Sequence, residues 1–582
     1  MFKKFKWFMS YYKKKLTLAI FFLLLSDIVG LIPPYITGRL TDRIFDNSIT
    51  LKVFILIIIL DLFVILIKYI LAILWSYFTF RGSNEMEYLA RDRMMSKILK
   101  QSLQFFEKHS TGSLMGKATN DVNTLVEFAG YGTLSFFDSC IYPIFIVIVM
   151  IVVVDLKLTL MAILPLPLLA YLCIKIGDKI YEKFTLVQRV FDKLNGNVLE
   201  DVEGIRIIRV FNLQNSREDA FKQRGQDLCN RNLEVVKYQA LMTPIQRIIP
   251  AFTFIIAIGY GSYLISNGKI TVGQLVSFTY YLNMLIWPMY ALGNFINLKQ
   301  QAGASMDRIQ EIWDYPEDIV ENPQAKPLHQ NPKIQFKDFS FRYPSSKNNV
   351  LEDVNVDIYQ GKSLGVLGKT GSGKTTFLKQ LLSLYPKDDD HILLDGKTMD
   401  SYTIHSVRDK LGYVPQEHMI FSKSIRDNIK LSKPDATEQE VMDVISLADL
   451  EKDLDVFVDG LDTLCGERGV SLSGGQKQRI SLARALLKDP DILILDDAMS
   501  AVDGETEQRI IENLQRNRQG KTTIIACHRI SQVIHCDEII VFQEGRIIER
   551  GHHDQLLAQK GWYREQYRNQ MAKSRVQKKV TS

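Results

Sequence analysis

Cysteine is scarce in this chain, and what there is lies scattered. Cys140, Cys173, Cys229, Cys465, Cys527 and Cys536 form no C-x-x-C pair and follow no metal-ligand spacing. The sequence therefore offers no zinc module and no disulfide framework, and reduced thiols are expected. Acid is missing from the first fifteen residues, which hold six lysines. Such a cluster ahead of an apolar run reads as a positive-inside anchor rather than a nucleic-acid patch. That run is too long, and followed by too many others, for a cleaved secretory leader. With a net charge of only +6, no nucleic-acid partner is expected. Nothing resembling an inserted regulatory domain interrupts the chain.

What is present divides in two. Residues 1 to 300 carry nearly continuous apolar runs, whereas 330 to 582 alternate strand-like and helical patterns. At 582 residues the chain is too long for one core. Crossing roughly 30 Å of hydrocarbon takes about 20 apolar residues. Six candidate spans lie near 16–37, 52–78, 135–154, 158–178, 245–266 and 272–296. The two long intervening segments, 79–134 and 179–244, are basic and polar (Arg81, Arg91, Arg93, Lys97, Lys100 and Lys108 in the first). They belong with both termini on the cytosolic side. Apolar residues recur there at helical spacing, so each segment is expected to prolong its membrane helices and turn at its far end. His109-Ser110-Thr111-Gly112-Ser113 and Gly204 through Asn212 are the expected turns. The expected organisation is a six-span all-α transmembrane domain over 1–310, a linker over 311–332 rich in proline, an α/β domain over 333–571, and a solvated basic tail over 572–582.

Charges inside spans are costly and mark function unless they pair internally. Asp27, Asp61, Lys68 and Asp138 are the candidates. An acidic spot would favour cationic amphiphiles; ion pairing or snorkelling is the plainer alternative. Tyr280, Tyr281, Trp287, Tyr290 and Phe295 in the last span suit either a promiscuous cavity or an interfacial belt.

The chemistry lies in the second half. Gly368-Lys369-Thr370-Gly371-Ser372-Gly373-Lys374-Thr375 is a G-x-x-x-x-G-K-[ST] phosphate loop, continued by Thr376, and it follows the apolar strand Ser363–Leu367. Its glycines let backbone N–H groups approach phosphate at a helix start. Lys374 would reach the β- and γ-phosphates and the Thr375 hydroxyl would ligate Mg²⁺. Further on, Ile492-Leu493-Ile494-Leu495 ends in Asp496-Asp497, a buried strand delivering two carboxylates. Between them Leu472-Ser473-Gly474-Gly475-Gln476 precedes a basic helical run, a second candidate anion site.

This ordered set resembles the ATP-binding cassette family, whose signature is LSGGQ, and the resemblance covers essentially the whole chain. It implies an exporter-type half-transporter of the multidrug and lipid kind, with ATP and Mg²⁺ as cofactors. By that resemblance Tyr343 stacks on adenine, Gln416 senses Mg²⁺ and the membrane domain, and Asp496 holds Mg²⁺. Gly466-Glu467-Arg468-Gly469 touches the cytosolic turns, Ser500-Ala501-Val502-Asp503 crosses between paired cassettes, and His528 contacts the γ-phosphate. The family pairs two cassettes head to tail, so Ser473, Gly475 and Gln476 would complete the partner's site.

The departure is Asp497, where the family usually places the glutamate that polarises the attacking water. A side chain one methylene shorter withdraws the carboxylate by about 1–1.5 Å, and misplacement near 1 Å costs on the order of 100-fold in rate. ATP binding is expected, with slow hydrolysis. That pattern resembles the degenerate-site subunit of bacterial heterodimeric multidrug exporters in the cell membrane. A homodimeric lipid or peptide exporter with two slow sites, or a non-transporting ATP-gated channel or regulator on the same scaffold, are the alternatives.

Overall fold

A computed structural model describes residues 6–344, 346–386, 391–466, 469 and 472–581. The chain forms two compact units. One gathers Ser110–Tyr315 with the chain before Lys100; the other joins Lys100–His109 to the chain from Pro316 onward.

The first unit is helical. Ser10–Phe45, Leu51–Leu99, Thr111–Val153, Leu156–Glu203 and Gln214–Ser266 are five helical stretches long and apolar enough to cross a membrane. The sixth expected span does not meet that measure. It is split into Val272–Met284 and Ile286–Trp313. The cause is local: Pro288 has no N–H to donate back to the preceding turn, and the Leu285 N–H divides between the carbonyls of Tyr281 and Leu282. Six spans were expected; five stretches among the described residues meet the measure.

Small residues bring this last segment close to the helix Ile32–Phe45. A side chain at Gly273 would lie 1.9 Å from the Gly38 carbonyl oxygen, so no other residue fits. Asp42 caps the approach, accepting the Gly273 N–H at 2.7 Å and the Thr271 hydroxyl at 2.8 Å. Ser277 donates to the Pro34 carbonyl at 2.8 Å.

Leu51–Leu99 has 49 residues and Gln214–Ser266 has 53. At 1.5 Å per residue each exceeds about 70 Å, more than twice a hydrocarbon core. The membrane helices thus extend far beyond any bilayer, as their apolar spacing implied. The second turn falls at Gly204 to Leu213 around the short helix Ile205–Val210. The first begins earlier than the expected His109: the long helix stops at Leu99, the short helix Leu103–Lys108 follows, and Ser110 caps the next helix through the Ser113 N–H. Helix Ile286–Trp313 likewise overruns the linker expected from 311, and helix Trp562–Thr581 runs through the expected tail.

The second unit contains two sheets. β1 (Ile334–Phe341), β2 (Leu351–Ile358), β4 (Ile392–Leu394) and β5 (Lys397–Thr398) form an antiparallel sheet in the order β2-β1-β4-β5. β3 (Ser363–Gly368), β6 (Leu411–Val414), β7 (Ile492–Asp496), β8 (Thr522–Cys527), β9 (Glu538–Gln543) and β10 (Arg546–Gly551) form the other, ordered β10-β9-β3-β8-β7-β6. All its pairings but β9–β10 are parallel. Successive residues of its strands enter opposite cores: Leu493, Leu495 and Ile525 on one face, Ile492, Ile494 and Ile524 on the other. Burial on both faces explains why β7 is uninterruptedly apolar until its final acid.

Candidate functional site: a nucleotide site at the carboxyl ends of the parallel strands

Register gathers the expected residues at one edge of the sheet. Leu367 pairs with Cys527, Ala526 with Asp496, and Leu495 with Val414. The chain therefore leaves β3 into the phosphate loop, β8 into His528, β7 into Asp497 and β6 into Gln416 side by side, where α/β sheets bind ligands.

In the phosphate loop Gly371 and Gly373 hold φ of +80° and +105°, a left-handed conformation that glycine adopts without strain. Gly373 leads directly into helix Lys374–Leu381, leaving its first N–H groups turned toward the loop. Lys369 and Thr370 form the exposed outer rim. Lys374 Nζ donates to the carbonyls of Gly368 at 2.8 Å and Lys369 at 3.0 Å, which fixes the ammonium inside the ring. Burial pushes this lysine below its ordinary range, while Asp497 and Asp496 oppose the shift. The Ser372 hydroxyl is buried with no hydrogen-bond partner among the described residues. A fixed cation, an orphaned donor and free helix amides make a fit for polyphosphate.

Thr375 donates to Asp496 Oδ1 at 3.0 Å, and Tyr413 reaches Asp496 Oδ2 at 3.4 Å. Burial raises the Asp496 carboxyl above its usual range, and neighbouring Asp497 adds to this. A hydroxyl and a carboxylate this close are hard oxygen donors of the kind Mg²⁺ takes beside phosphate. Thr375 and Asp496 would hold the ion, which would neutralise charge on the β- and γ-oxygens. Gln416 is exposed in the loop after β6.

Asp497 sits in the left-handed region at φ +49°, its N–H donating to the Ala526 carbonyl at 2.8 Å. The turn aims a half-buried side chain off the end of β7. His528 is half-buried after β8, and its carbonyl accepts from Gln570 Nε2 at 2.9 Å.

Tyr343 does not stand alone. Its hydroxyl is 2.9 Å from Thr376 Oγ1, and its ring lies edge-on to Phe341 and Tyr385, with centroids 5.1 Å away in both cases.

The signature string is a capped helix start. Ser473 Oγ accepts the Gln476 N–H, and Gln476 Oε1 accepts the Ser473 N–H at 2.9 Å. Gln476 Nε2 donates to Asp453 at 2.9 Å, so its side chain serves the fold. Gly475 sits at a close approach: a side chain there would meet the Ala501 carbonyl oxygen at 3.0 Å, so that loop would have to give by a few tenths of an ångström. Ser473 and Gly474 are exposed. Of the segment before the signature, Glu467 and Arg468 lie outside the described residues.

Sequence reasoning missed two residues. Gln478 receives the Ala501 N–H at 2.8 Å and donates to Ser500 Oγ at 2.9 Å, stitching the signature helix to the loop after the twin carboxylates. His418 sits in the loop after β6 with both ring nitrogens buried and without partners among the described residues. Burial depresses its pKa, and Asp497 pulls the other way. Gln478 was visible as the polar residue at a buried helix position; His418 carried no pattern.

In the first unit, the Trp287 indole N–H donates to Asp138 at 3.3 Å. One oxygen each of Asp27 and Asp61 is buried without a hydrogen-bond partner among the described residues. The Lys68 ammonium lies beside Gly30, 3.2 Å from where a side chain there would begin, and near enough to Asp27 to interact electrostatically. Tyr281 is fully buried, donating to the Leu31 carbonyl at 2.8 Å, and Tyr290 donates to that of Gln246 at 3.0 Å. Phe295 packs against Phe128 and Phe136. Only Tyr280 and Trp287 of the five aromatics are largely exposed.

Residues 16–289 match the family model described as ABC transporter transmembrane region, and 351–500 match that described as ABC transporter. Over 570 residues, covering 98% of this chain and 97% of the other, it is 41% identical to a probable multidrug resistance ABC transporter ATP-binding/permease protein, YheI, of Bacillus subtilis. The chain belongs to the ABC transporter family. This ABC transporter is also 35% identical to the multidrug resistance-like ATP-binding protein MdlA of Escherichia coli, across 98% of this chain and 96% of that one. It is 33% identical to an ATP-dependent lipid A-core flippase of Syntrophus aciditrophicus, across 96% and 91%. Its fold is similar to that of a bacterial Atm1-family ABC exporter with ATP bound, with a TM-score of 0.80 at 24% identity, covering 96% of this chain and 98% of that one. The ABC transporter is an exporter half, a helical membrane domain fused to an α/β ATPase whose hydrolysis is coupled to export.

Proposed function

We propose that this chain is the slow-site subunit of a two-subunit multidrug exporter in the plasma membrane, with both termini in the cytosol. The observation that carries the proposal is Asp497, a short carboxylate in an otherwise complete ATP site. Lys374, the loop amides and Ser372 would grip the phosphates, Thr375 and Asp496 would hold Mg²⁺, and Tyr343 would support the adenine. Asp497 reaches less far toward the water than a glutamate would, so ATP is held longer than it is cleaved. The exposed Ser473 and Gly474 would close on ATP held by a different half-transporter that carries the glutamate. ATP binding draws the cassettes together and turns the membrane cavity outward; hydrolysis at the partner's site resets it.

The substrate class proposed is hydrophobic or cationic amphiphiles. Asp138 beside exposed Trp287, with Asp27 near enough to Asp138 to interact electrostatically, would place acidic groups next to an aromatic surface. A lipid substrate is the second reading, favoured by the similarity to a lipid A-core flippase.

The test is ATPase measured on the purified chain, then on the Asp497→Glu variant. Low wild-type turnover and a rise of about 100-fold in the variant are expected. Vigorous turnover from the wild-type chain alone would remove the proposal. Asp27→Asn should impair transport of a cationic dye more than a neutral one; equal loss would sink the charge-based part.

A further inference from the structure

The short helix Leu103–Lys108 belongs to the same compact unit as the cassette strands. Its attachment is specific. The Leu103 N–H donates to the Leu384 carbonyl at 3.3 Å, and Ser102 Oγ donates to Asp318 at 2.7 Å. The Tyr385 hydroxyl donates to Glu107 Oε1 at 2.6 Å, within the range of a charge-assisted O–H···O⁻ bond. Burial and then Glu107 push the Tyr385 phenol well above its ordinary range, so the proton stays on tyrosine and the donor is fixed.

Tyr385 is 3% exposed, and its ring stands nearly perpendicular to that of Tyr343, at 79° with centroids 5.1 Å apart. The edge-to-face arrangement has a preferred geometry, so turning one ring displaces the other. Beyond it, Tyr343 meets Thr376 at 2.9 Å, whose neighbour Thr375 binds Asp496. A continuous path of contacts thus runs from Glu107 through Tyr385, Tyr343 and Thr376 to Thr375 and Asp496. The chain enters this short helix from Leu51–Leu99 and leaves it into Thr111–Val153, so movement of Glu107 is handed to two membrane helices by covalent connection.

We infer that Tyr385 is a positioning residue that carries the occupancy of the adenine platform Tyr343 to Glu107 and thereby to the membrane helices. The inference rests on Tyr343 being that platform, as proposed above. Adenine stacked on Tyr343 restricts the ring; Tyr385, packed against its edge, is held in turn; and its hydroxyl fixes Glu107. Packing alone would need only the Tyr385 ring, whereas this link needs the oxygen.

The experiment uses the full-length protein in lipid nanodiscs at saturating Mg²⁺-ATP, with hydrogen exchange read over residues 100–109. In the wild type ATP should slow exchange of this segment by about tenfold, the scale of one charged hydrogen bond. Tyr385→Phe keeps the ring and should abolish most of that protection, with ATP affinity within about twofold of wild type. Glu107→Gln should do likewise. The double variant should lose no more than Tyr385→Phe alone, because the two residues make one link. An unchanged response in Tyr385→Phe, additive losses in the double variant, or no ATP response in the wild type would each overturn the inference. Tyr343→Leu separates the two claims: it should weaken ATP binding but not binding of inorganic tripolyphosphate. If ATP binding is untouched there while the Tyr385 and Glu107 results hold, the platform reading fails and the link to Glu107 survives on Thr376.

Discussion

Two glycine-rich strings open helices in this cassette and put glycine to different uses. In the phosphate loop Gly371 and Gly373 take left-handed φ values, and the loop closes on its own lysine. In the signature string Gly475 has no such φ; what it offers is room for the Ala501 carbonyl, 3.0 Å from where a side chain would begin. The first string folds inward around a buried cation. The second is capped by Ser473 with Gln476 and leaves Ser473 at the surface. Similar composition therefore yields one string that faces its own strands and another that faces outward. In the pairing proposed above, the outward string would complete the partner's site.

The comparison can be broken at its strong end first. Lys374→Ala removes the charge that two loop carbonyls hold in place, and ATP affinity should fall by about 100-fold or more, read by equilibrium binding. Ser473→Ala should leave ATP binding by the same chain unchanged; a comparable loss in both variants would mean the strings do not serve separate sites. Next, Asp497→Glu should raise turnover by about 100-fold while leaving ATP affinity near the wild-type value. A rise in affinity without turnover would place the defect in binding instead. Tyr343→Leu forfeits base stacking, worth about 1–3 kcal/mol, so ATP should bind on the order of tenfold more weakly. The smallest effect belongs to the cap: Ser473→Ala should cost about 1 kcal/mol of stability, seen as a shift of a few degrees in the cassette's thermal transition. The same variant should depress hydrolysis in a mixed pair with a glutamate-bearing subunit far more than that stability loss explains.

Much of the cassette was legible because its chemistry is written in contiguous strings. A phosphate loop, a signature and a strand ending in acids each carry their own local geometry, and the register of β3, β8, β7 and β6 then collects them. The boundaries were less legible. Helix Ile286–Trp313 overran the expected linker because a helix ends where its packing ends, not where proline first becomes frequent. The first cytosolic turn moved from His109 back to Lys100 because a short helix inserted there packs on distant residues, Leu384, Tyr385 and Asp318 among them. In the membrane unit, equal spacing told little about side-chain duty. Tyr280 and Tyr281 are neighbours, yet one is half-exposed and the other buried with its hydroxyl bound to Leu31.

By itself the sequence determined the two-part architecture, the nucleotide chemistry and the anomaly at Asp497, since each depends on local composition or on residues close along the chain. Only the tertiary structure decided that Tyr343 leans on Tyr385 and Thr376, that Gln478 ties the signature to Ala501, and that His418 lies near Asp497 with no hydrogen-bond partner among the described residues. Those relations join residues tens of positions apart. Side-chain contacts at that separation are set by the packing of strands and helices against one another, and no local pattern records them.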